Sequence, residues 1–236
     1  MKVVVVQARM GSSRLPGKVA MDLLGRPVLA HVLGRAGAIP GADAVCCAIP
    51  EGPADDALAA LAGQLGARVV RGSETDVLAR YLAAARACDA TAVVRVTSDC
   101  PVLDPQVGGR VLAQLTEAGA AYASNVDPRS WPKGLDTEAF TREALERTAA
   151  EATEAYDREH VTPYMRRAPG FMRANTALPE DRCADWRWTL DYPEDLTFLR
   201  ELLGRAGPEP QRAGFEELKR IVEADPAIAR INAHLT

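Results

Sequence analysis

The chain has 236 residues, 47% hydrophobic and 25% charged, which suits one large α/β domain or one with a small appendage. Lys plus Arg number 28 against 32 Asp plus Glu, a net charge of -4, and this argues against a general nucleic-acid binder. The five cysteines form no C-x-x-C pair and no apolar run reaches membrane-spanning length, so a zinc cluster, a disulfide scaffold and a membrane protein are set aside.

Residues 3–6, four valines, read as a buried first strand. Residues 27–36 carry apolar side chains at helical spacing. A strand at 44–49, a helix at 54–65, a strand at 68–71 and a helix at 76–88 follow. A strand at 91–96 and a helix at 105–118 complete the first half. This alternation predicts an α/β fold, a mostly parallel sheet with helices on both faces. Ligands of such sheets bind outside the carboxyl ends of the strands. The loops after residues 6, 71 and 96 are therefore expected to converge on one edge.

The second half is less regular. Residues 121–124 and 137–140 read as extended, 127–133 as a loop or bent hairpin, and 141–155 as a helix. A strand end is predicted at 187–190 and a helix at 193–203, with Pro193 in its first turn. A Gly/Pro-rich linker at 204–214 leads to a short amphipathic helix at 215–222. Trp131, Trp186 and Trp188 are expected to pack a core or a dimer contact.

The loop Q-A-R-M-G-S-S-R-L-P-G-K, Gln7 to Lys18, follows the first strand. Gly11 and Gly17 let the backbone turn closely around a ligand. Ser12 and Ser13 donate hydrogen bonds, and Arg9, Arg14 and Lys18 bring positive charge. Three cations this close repel one another unless water or an anion lies between them, which points to a polyphosphate. The alternative is a solvated basic loop. A Walker A loop is ruled out by Val19, where Ser or Thr would be needed, and G-x-G-x-x-G is absent.

Two acids occupy matching settings. Asp99 follows the strand at 91–96 and precedes Cys100-Pro101; Asp191 precedes Tyr192-Pro193. Acids at two strand mouths can share one hard cation with phosphate oxygens. The alternative for each is a turn or capping aspartate. Asp104 and Asp195 read as helix-start acids.

These segments resemble the cytidylyltransferases that make CMP-activated sugar acids, including the 3-deoxy-manno-octulosonate and acylneuraminate enzymes. The spore-coat-polysaccharide branch is the most similar. The loop at 7–18 carries the resemblance first. It recurs at R-G-S-E-T-D-V-L (Arg71 to Leu78), R-V-T-S-D-C-P-V-L-D-P (Arg95 to Pro105), G-L-D-T-E (Gly134 to Glu138), E-H-V-T-P-Y (Glu159 to Tyr164) and T-L-D-Y-P-E-D-L (Thr189 to Leu196), in the family's order. Ser98 departs from the family, where Gly commonly precedes the Asp, and so does Val102, where Leu is usual.

The resemblance implies a Rossmann-like nucleotide-diphospho-sugar transferase fold with a small irregular acceptor and dimerisation region. It implies transfer of CMP from CTP to a sugar-acid-like or other anionic acceptor, with release of pyrophosphate. Mg2+ would sit on Asp99 and Asp191. Arg14 and Lys18 would hold the triphosphate, with Arg9, Gly11, Ser12 and Ser13 around it. Gln7, Ala8, Arg71, Ser73 and Thr97 would line the cytidine site; Ser73 has a second reading, as a helix cap, and Arg71 as a surface charge. The acceptor side would be Asp136, Glu138, Arg158, Glu159 and His160. His160 is a general base, a carboxylate ligand, or a buried histidine bonded to backbone.

The expectation is one nucleotidyltransferase domain over 1–236. Residues 1–120 form its CTP half, 121–203 its acceptor and metal half, and 204–236 a linker and helix. Acceptor specificity would lie within 127–182. A cytoplasmic homodimer is expected, with neither nucleic acid nor membrane as partner. Two other readings stay open. One is a glycosyltransferase on the related fold, which would hold its metal with a D-x-D pair that 97–103 lack. The other is a non-catalytic nucleotide-binding protein.

Overall fold

Four consecutive valines decide where the first strand lies. β-Branched side chains favour the pleated backbone, and a strand apolar on both faces belongs in the middle of a covered sheet. β1 (Lys2–Gln7) runs there in the computed structural model, which describes residues 1–179 and 183–235. β2 (Asp22–Leu23) and β3 (Arg26–Pro27) form a small hairpin before α1 (Val28–Gly37). Then come β4 (Ala44–Pro50), α2 (Asp56–Gln64), β5 (Arg68–Gly72), α3 (Val77–Ala87), β6 (Ala92–Thr97) and α4 (Pro105–Glu117). The second half supplies β7 (Tyr122–Ser124), β8 (Glu138–Thr141), α5 (Arg142–Glu151), α6 (Ala155–His160), α7 (Pro163–Arg167) and β9 (Arg173–Asn175). It closes with α8 (Pro193–Gly204), α9 (Phe215–Ala224) and α10 (Pro226–Ala229).

The main sheet has the order β5-β4-β1-β6-β8-β7-β9. β5, β4, β1 and β6 are parallel, and β8 is antiparallel to both β6 and β7. The chain steps outward from β1 to β4 and β5, then returns to add β6 on the other side. That reversal opens a crevice at the carboxyl ends of β1 and β6, where open α/β sheets bind ligands. Val4 and Val6 pack on one face with α1, α2, α4, α8 and α9, while Val3 and Val5 pack on the other with α3 and α5. The sheet is therefore covered on both sides, as the valine run requires. Trp131 and Trp188 are buried in the core beside Phe215, and Trp186 stacks on Trp188. Among the described residues, no helix is long and apolar enough to cross a membrane.

One local feature has no counterpart in the sequence reading, and two expectations are corrected. The hairpin at β2 and β3 turns through Leu24 and Gly25, both at positive φ (52° and 79°). Two such residues define a type I′ turn, whose usual Asn-Gly signature a leucine conceals. The helix expected at 141–155 stops at Glu151, and α6 begins separately at Ala155. Arg158 donates to the carbonyls of Ala149 and Ala152, so a side chain takes over where helical bonding would have continued. Residues 187–190 form no strand. Arg187 makes one isolated bridge to Lys133, and Leu190 N donates to Asp99 O at 2.8 Å. Of the 127–182 region, residues 180–182 lie outside the described part of the chain.

Candidate active site

A cleft of about 360 Å³ opens where β1 and β6 end. The loop after β1 forms one wall. Gly17, at φ 72°, lets that loop fold back so that its N–H donates to Met10 O at 3.0 Å. Ser12 Oγ accepts from Leu15 N, and Met10 N donates to Asp55 Oδ1 at 2.6 Å. Asp55 is buried between β4 and α2 and anchors the loop from outside it. Nothing in the spacing around Asp55 marks that role. The loop contributes Arg9, Gly11, Ser12, Ser13, Arg14 and Lys18 to the cleft, with Gln7 and Ala8 at the end of β1.

The second wall brings two carboxylates together. Leu190 N and Thr189 Oγ1 both donate to the main-chain oxygen of Asp99, which pins the 189–191 segment to the end of β6. Lys18 Nζ then lies 2.8 Å from Asp191 Oδ1, 2.8 Å from Leu190 O and 3.3 Å from Asp99 Oδ2. Arg14 Nη2 lies 3.1 Å from Asp191 Oδ1, with its guanidinium 5.3 Å from the Tyr192 ring centre. Burial works against the Lys18 ammonium, yet Asp99 and Asp191 outweigh it and raise its pKa. Burial likewise disfavours the Asp191 charge, and Lys18, Arg14 and Arg187 overcome this and lower its pKa. Asp191 is positioned from behind by Asp195. That carboxylate accepts from the backbone N–H groups of Asp191 and Tyr192 and pairs with Arg187 at 2.8 Å. Two carboxylates facing one cationic point are a donor set that fits Mg2+, which takes one or two carboxylates plus phosphate and water oxygens. Thr97 Oγ1 donates to Asp99 Oδ1 at 2.5 Å and orients that carboxylate.

The third side is built by the start of α3 and the end of α6. Glu74, Thr75, Val77 and Arg80 line it, opposite Glu159 and His160. The sequence reading missed the first four. Arg80 is buried on the inward face of α3, donates to Ser73 O at 2.5 Å, and has no partner for Nε. A buried cation within an amphipathic helix is the signal that finds it. His160 packs 4.4 Å from the Tyr156 ring and is followed by Val161 at φ 72°, ψ -52°. Thr162 N donates to His160 O at 2.9 Å, which closes a γ-turn around a β-branched residue. Such backbone costs on the order of 1–3 kcal/mol and is held by its surroundings; Val161 is fully buried.

Five expected residues fall outside the lining. Arg71 donates to Pro50 O, Gly52 O and Asp56, fastening the connection between β4 and α2. Ser73 Oγ accepts from Asp76 N at 3.0 Å, so the capping alternative describes it. Asp136 takes both guanidinium nitrogens of Arg129 at 2.7 Å. Arg158 pairs with Asp76 as well as capping α5. Glu138 begins β8 within the sheet, buried among Arg95, Arg166 and Tyr122. Each is engaged elsewhere, and of the residues expected on the acceptor side, Glu159 and His160 line the cleft.

Glu138 has a different use. Burial pushes its carboxyl up, but Arg95 and Arg166 hold it down to about 2. Its stabilising contribution is complete above the ordinary carboxylate value and is lost as pH falls through about 2. Glu138→Gln is expected to cost roughly 3 kcal/mol at pH 7. Urea midpoints should show that deficit shrinking as pH drops below about 4.5; a pH-independent deficit would contradict the ion-pair account. The same Arg95 donates to Gln7 Oε1 at 3.3 Å. Arginine has donors only, so the Gln7 atom it meets is the carbonyl oxygen, and the NH2 is the end available to the cleft. Gln7→Glu keeps the Arg95 contact but removes that donor. Nucleotide affinity measured by calorimetry should fall about tenfold.

A second cavity of about 610 Å³ lies between α1 and the start of α4, lined in part by His31, Arg35 and Arg212. Its one carboxylate, Asp104, already accepts from Gln106, Val107 and Phe215 N–H groups. It offers no acid pair to a cation, so the first cleft is the better site for phosphate chemistry.

A phosphate chain along the loop and a cation at the acids would set a nucleotide's phosphorus between them, the working arrangement of a nucleotidyltransferase. The sequence matches the cytidylyltransferase family over residues 3–229, and the chain belongs to that family. Spore coat polysaccharide biosynthesis protein SpsF of Bacillus subtilis is 31% identical over 232 residues, 95% of this chain and 95% of that protein. A 3-deoxy-manno-octulosonate cytidylyltransferase of Anaeromyxobacter is 30% identical, over 87% of this chain and 97% of its own. A solved cytidylyltransferase from Leptospira borgpetersenii superposes with a TM-score of 0.90 at 28% identity, covering 97% of this chain and 96% of that one.

Proposed function

We propose that this enzyme transfers CMP from CTP to a small anionic acceptor of the sugar-acid kind. The observation that carries the reading is the meeting of Arg14 and Lys18 with Asp99 and Asp191 at one rim of the cleft. An acceptor oxygen bonds to the α-phosphorus of CTP. The bond from that phosphorus to its bridging oxygen breaks, and pyrophosphate leaves with the electron pair; a hydroxyl acceptor gives its proton to solvent water. Arg14 and Lys18 bind the β- and γ-phosphates and stabilise charge on the leaving group. Arg9 and the serines of the loop orient the chain of phosphates. Gln7, Ala8 and Thr97 face the nucleoside, and Glu159 and His160 face the acceptor. Asp99 and Asp191 would hold Mg2+. Bound there, the ion supplies charge neutralisation at the phosphate and lowers the pKa of the attacking oxygen. A homodimer is part of the same proposal.

The test is pyrophosphate release with each of the four NTPs, Mg2+ and a panel of sugar acids, sugar phosphates and phosphonates. Phosphorus NMR should detect a CMP-linked product with CTP. Tight CTP binding with no release on any acceptor would leave a nucleotide-binding protein without catalysis. Consumption of a nucleotide sugar without pyrophosphate would assign a glycosyltransferase.

A further inference from the structure

Three oxygens from two separate segments converge on Lys18 Nζ: Asp191 Oδ1, Leu190 O and Asp99 Oδ2. All three are the hard donors that a divalent cation accepts. An ammonium and a divalent ion cannot occupy that point together, because their repulsion at such range is uncompensated. We infer that Lys18 is a stand-in cation for the divalent site. It holds Asp99, Asp191 and the Leu190 carbonyl in register before substrate arrives, and it yields the place when a triphosphate draws it away. The inference rests on the metal reading above and adds to it an order of assembly, a restraint by Lys18 and a third protein oxygen.

The mobile and fixed parts of the site support this division. Gly17 and the short turn Lys18–Ala20 fix the Lys18 backbone, so the flexible four-carbon stem is what moves. Arg14, half exposed, is free to follow a phosphate off Asp191. Arg187 stays, since Asp195 binds it with both oxygens. Before nucleotide binds, Arg187 is neutralised by Asp195, while Arg14 and Lys18 occupy the Asp99 and Asp191 oxygens that a divalent ion needs, so an added ion has to displace them. Once the phosphates take Arg14 and Lys18, the Asp99 and Asp191 charges are released for metal. Linkage makes the effect reciprocal: metal and nucleotide strengthen each other's binding.

The test is Mn2+ binding to the full chain without nucleotide, followed by the electron paramagnetic resonance signal of the free ion. The wild type should bind weakly. Lys18→Met should bind at least about tenfold more tightly, and Lys18→Gln, which keeps a polar head, should do the same. Asp99→Asn in the Lys18→Met background should erase the gain. If Lys18→Met and Lys18→Gln, folded by circular dichroism, bind Mn2+ no better than wild type while Asp99→Asn still removes binding, the stand-in role is wrong and the metal assignment stands. If Asp99→Asn changes nothing in any background, the metal assignment falls and the inference with it.

Discussion

Asp99→Asn is expected to lower turnover about a thousandfold while leaving the protein folded. The two effects separate because Asp99 acts through different atoms. Its main-chain oxygen holds Leu190 and Thr189, and any residue supplies that oxygen. Its carboxylate faces Lys18 and Thr97 at the cleft, and asparagine keeps the shape but not the charge. Half the proposed cation site is then neutral, and nothing nearby replaces it. The measurement is kcat from pyrophosphate release alongside a melting curve. A variant that turns over within about fivefold of wild type would remove Asp99 from the chemistry, since a lost charge of this kind costs far more.

Gly134→Ala should be the most damaging small substitution in the fold. Gly134 has φ +112°, and an added Cβ would stand 2.4 Å from the Trp188 carbonyl carbon and 2.6 Å from Thr189 N. These are backbone atoms and cannot swing aside. The neighbouring bonds, Lys133 N to Trp186 O at 2.9 Å and Trp188 N to Lys133 O at 2.6 Å, lock the two segments together. Strain and overpacking should together cost about 4 kcal/mol. The same contact carries residues 188–191 to the cleft, so activity should fall with stability. Chemical denaturation gives the first and pyrophosphate release the second; a loss of stability under about 1 kcal/mol would mean the segments part easily.

The parallel core was legible because its signal is local. Val3 to Val6, the alternation to residue 118 and the setting of Asp99 just past β6 all act within a few residues. Asp76 and Asp104 cap helices, as short polar side chains at those starts do. The cleft's outer members were harder to read. Arg71 opens one family-like motif and Arg158 immediately precedes another, yet their partners, Asp56 and Asp76, come from elsewhere in the fold. Glu138 looked like a ligand-facing acid, and its real neighbours arrive on β6 and α7. Asp55 hid in an ordinary loop setting, and Arg80 shows in the sequence only as a cation on the apolar face of a helix. Long-range pairing of charged groups leaves no periodic mark, so such residues are assigned only when the chain is seen folded.

Asn232, buried just past α10, donates to Arg187 O and to Asp195 Oδ1, both at 2.9 Å. Asp195 in turn steadies the backbone of Asp191. A residue more than two hundred positions along the chain from the basic loop thus acts as a keystone behind the cleft, although it does not line it. Removing that amide would loosen one arm of the acid pair from behind.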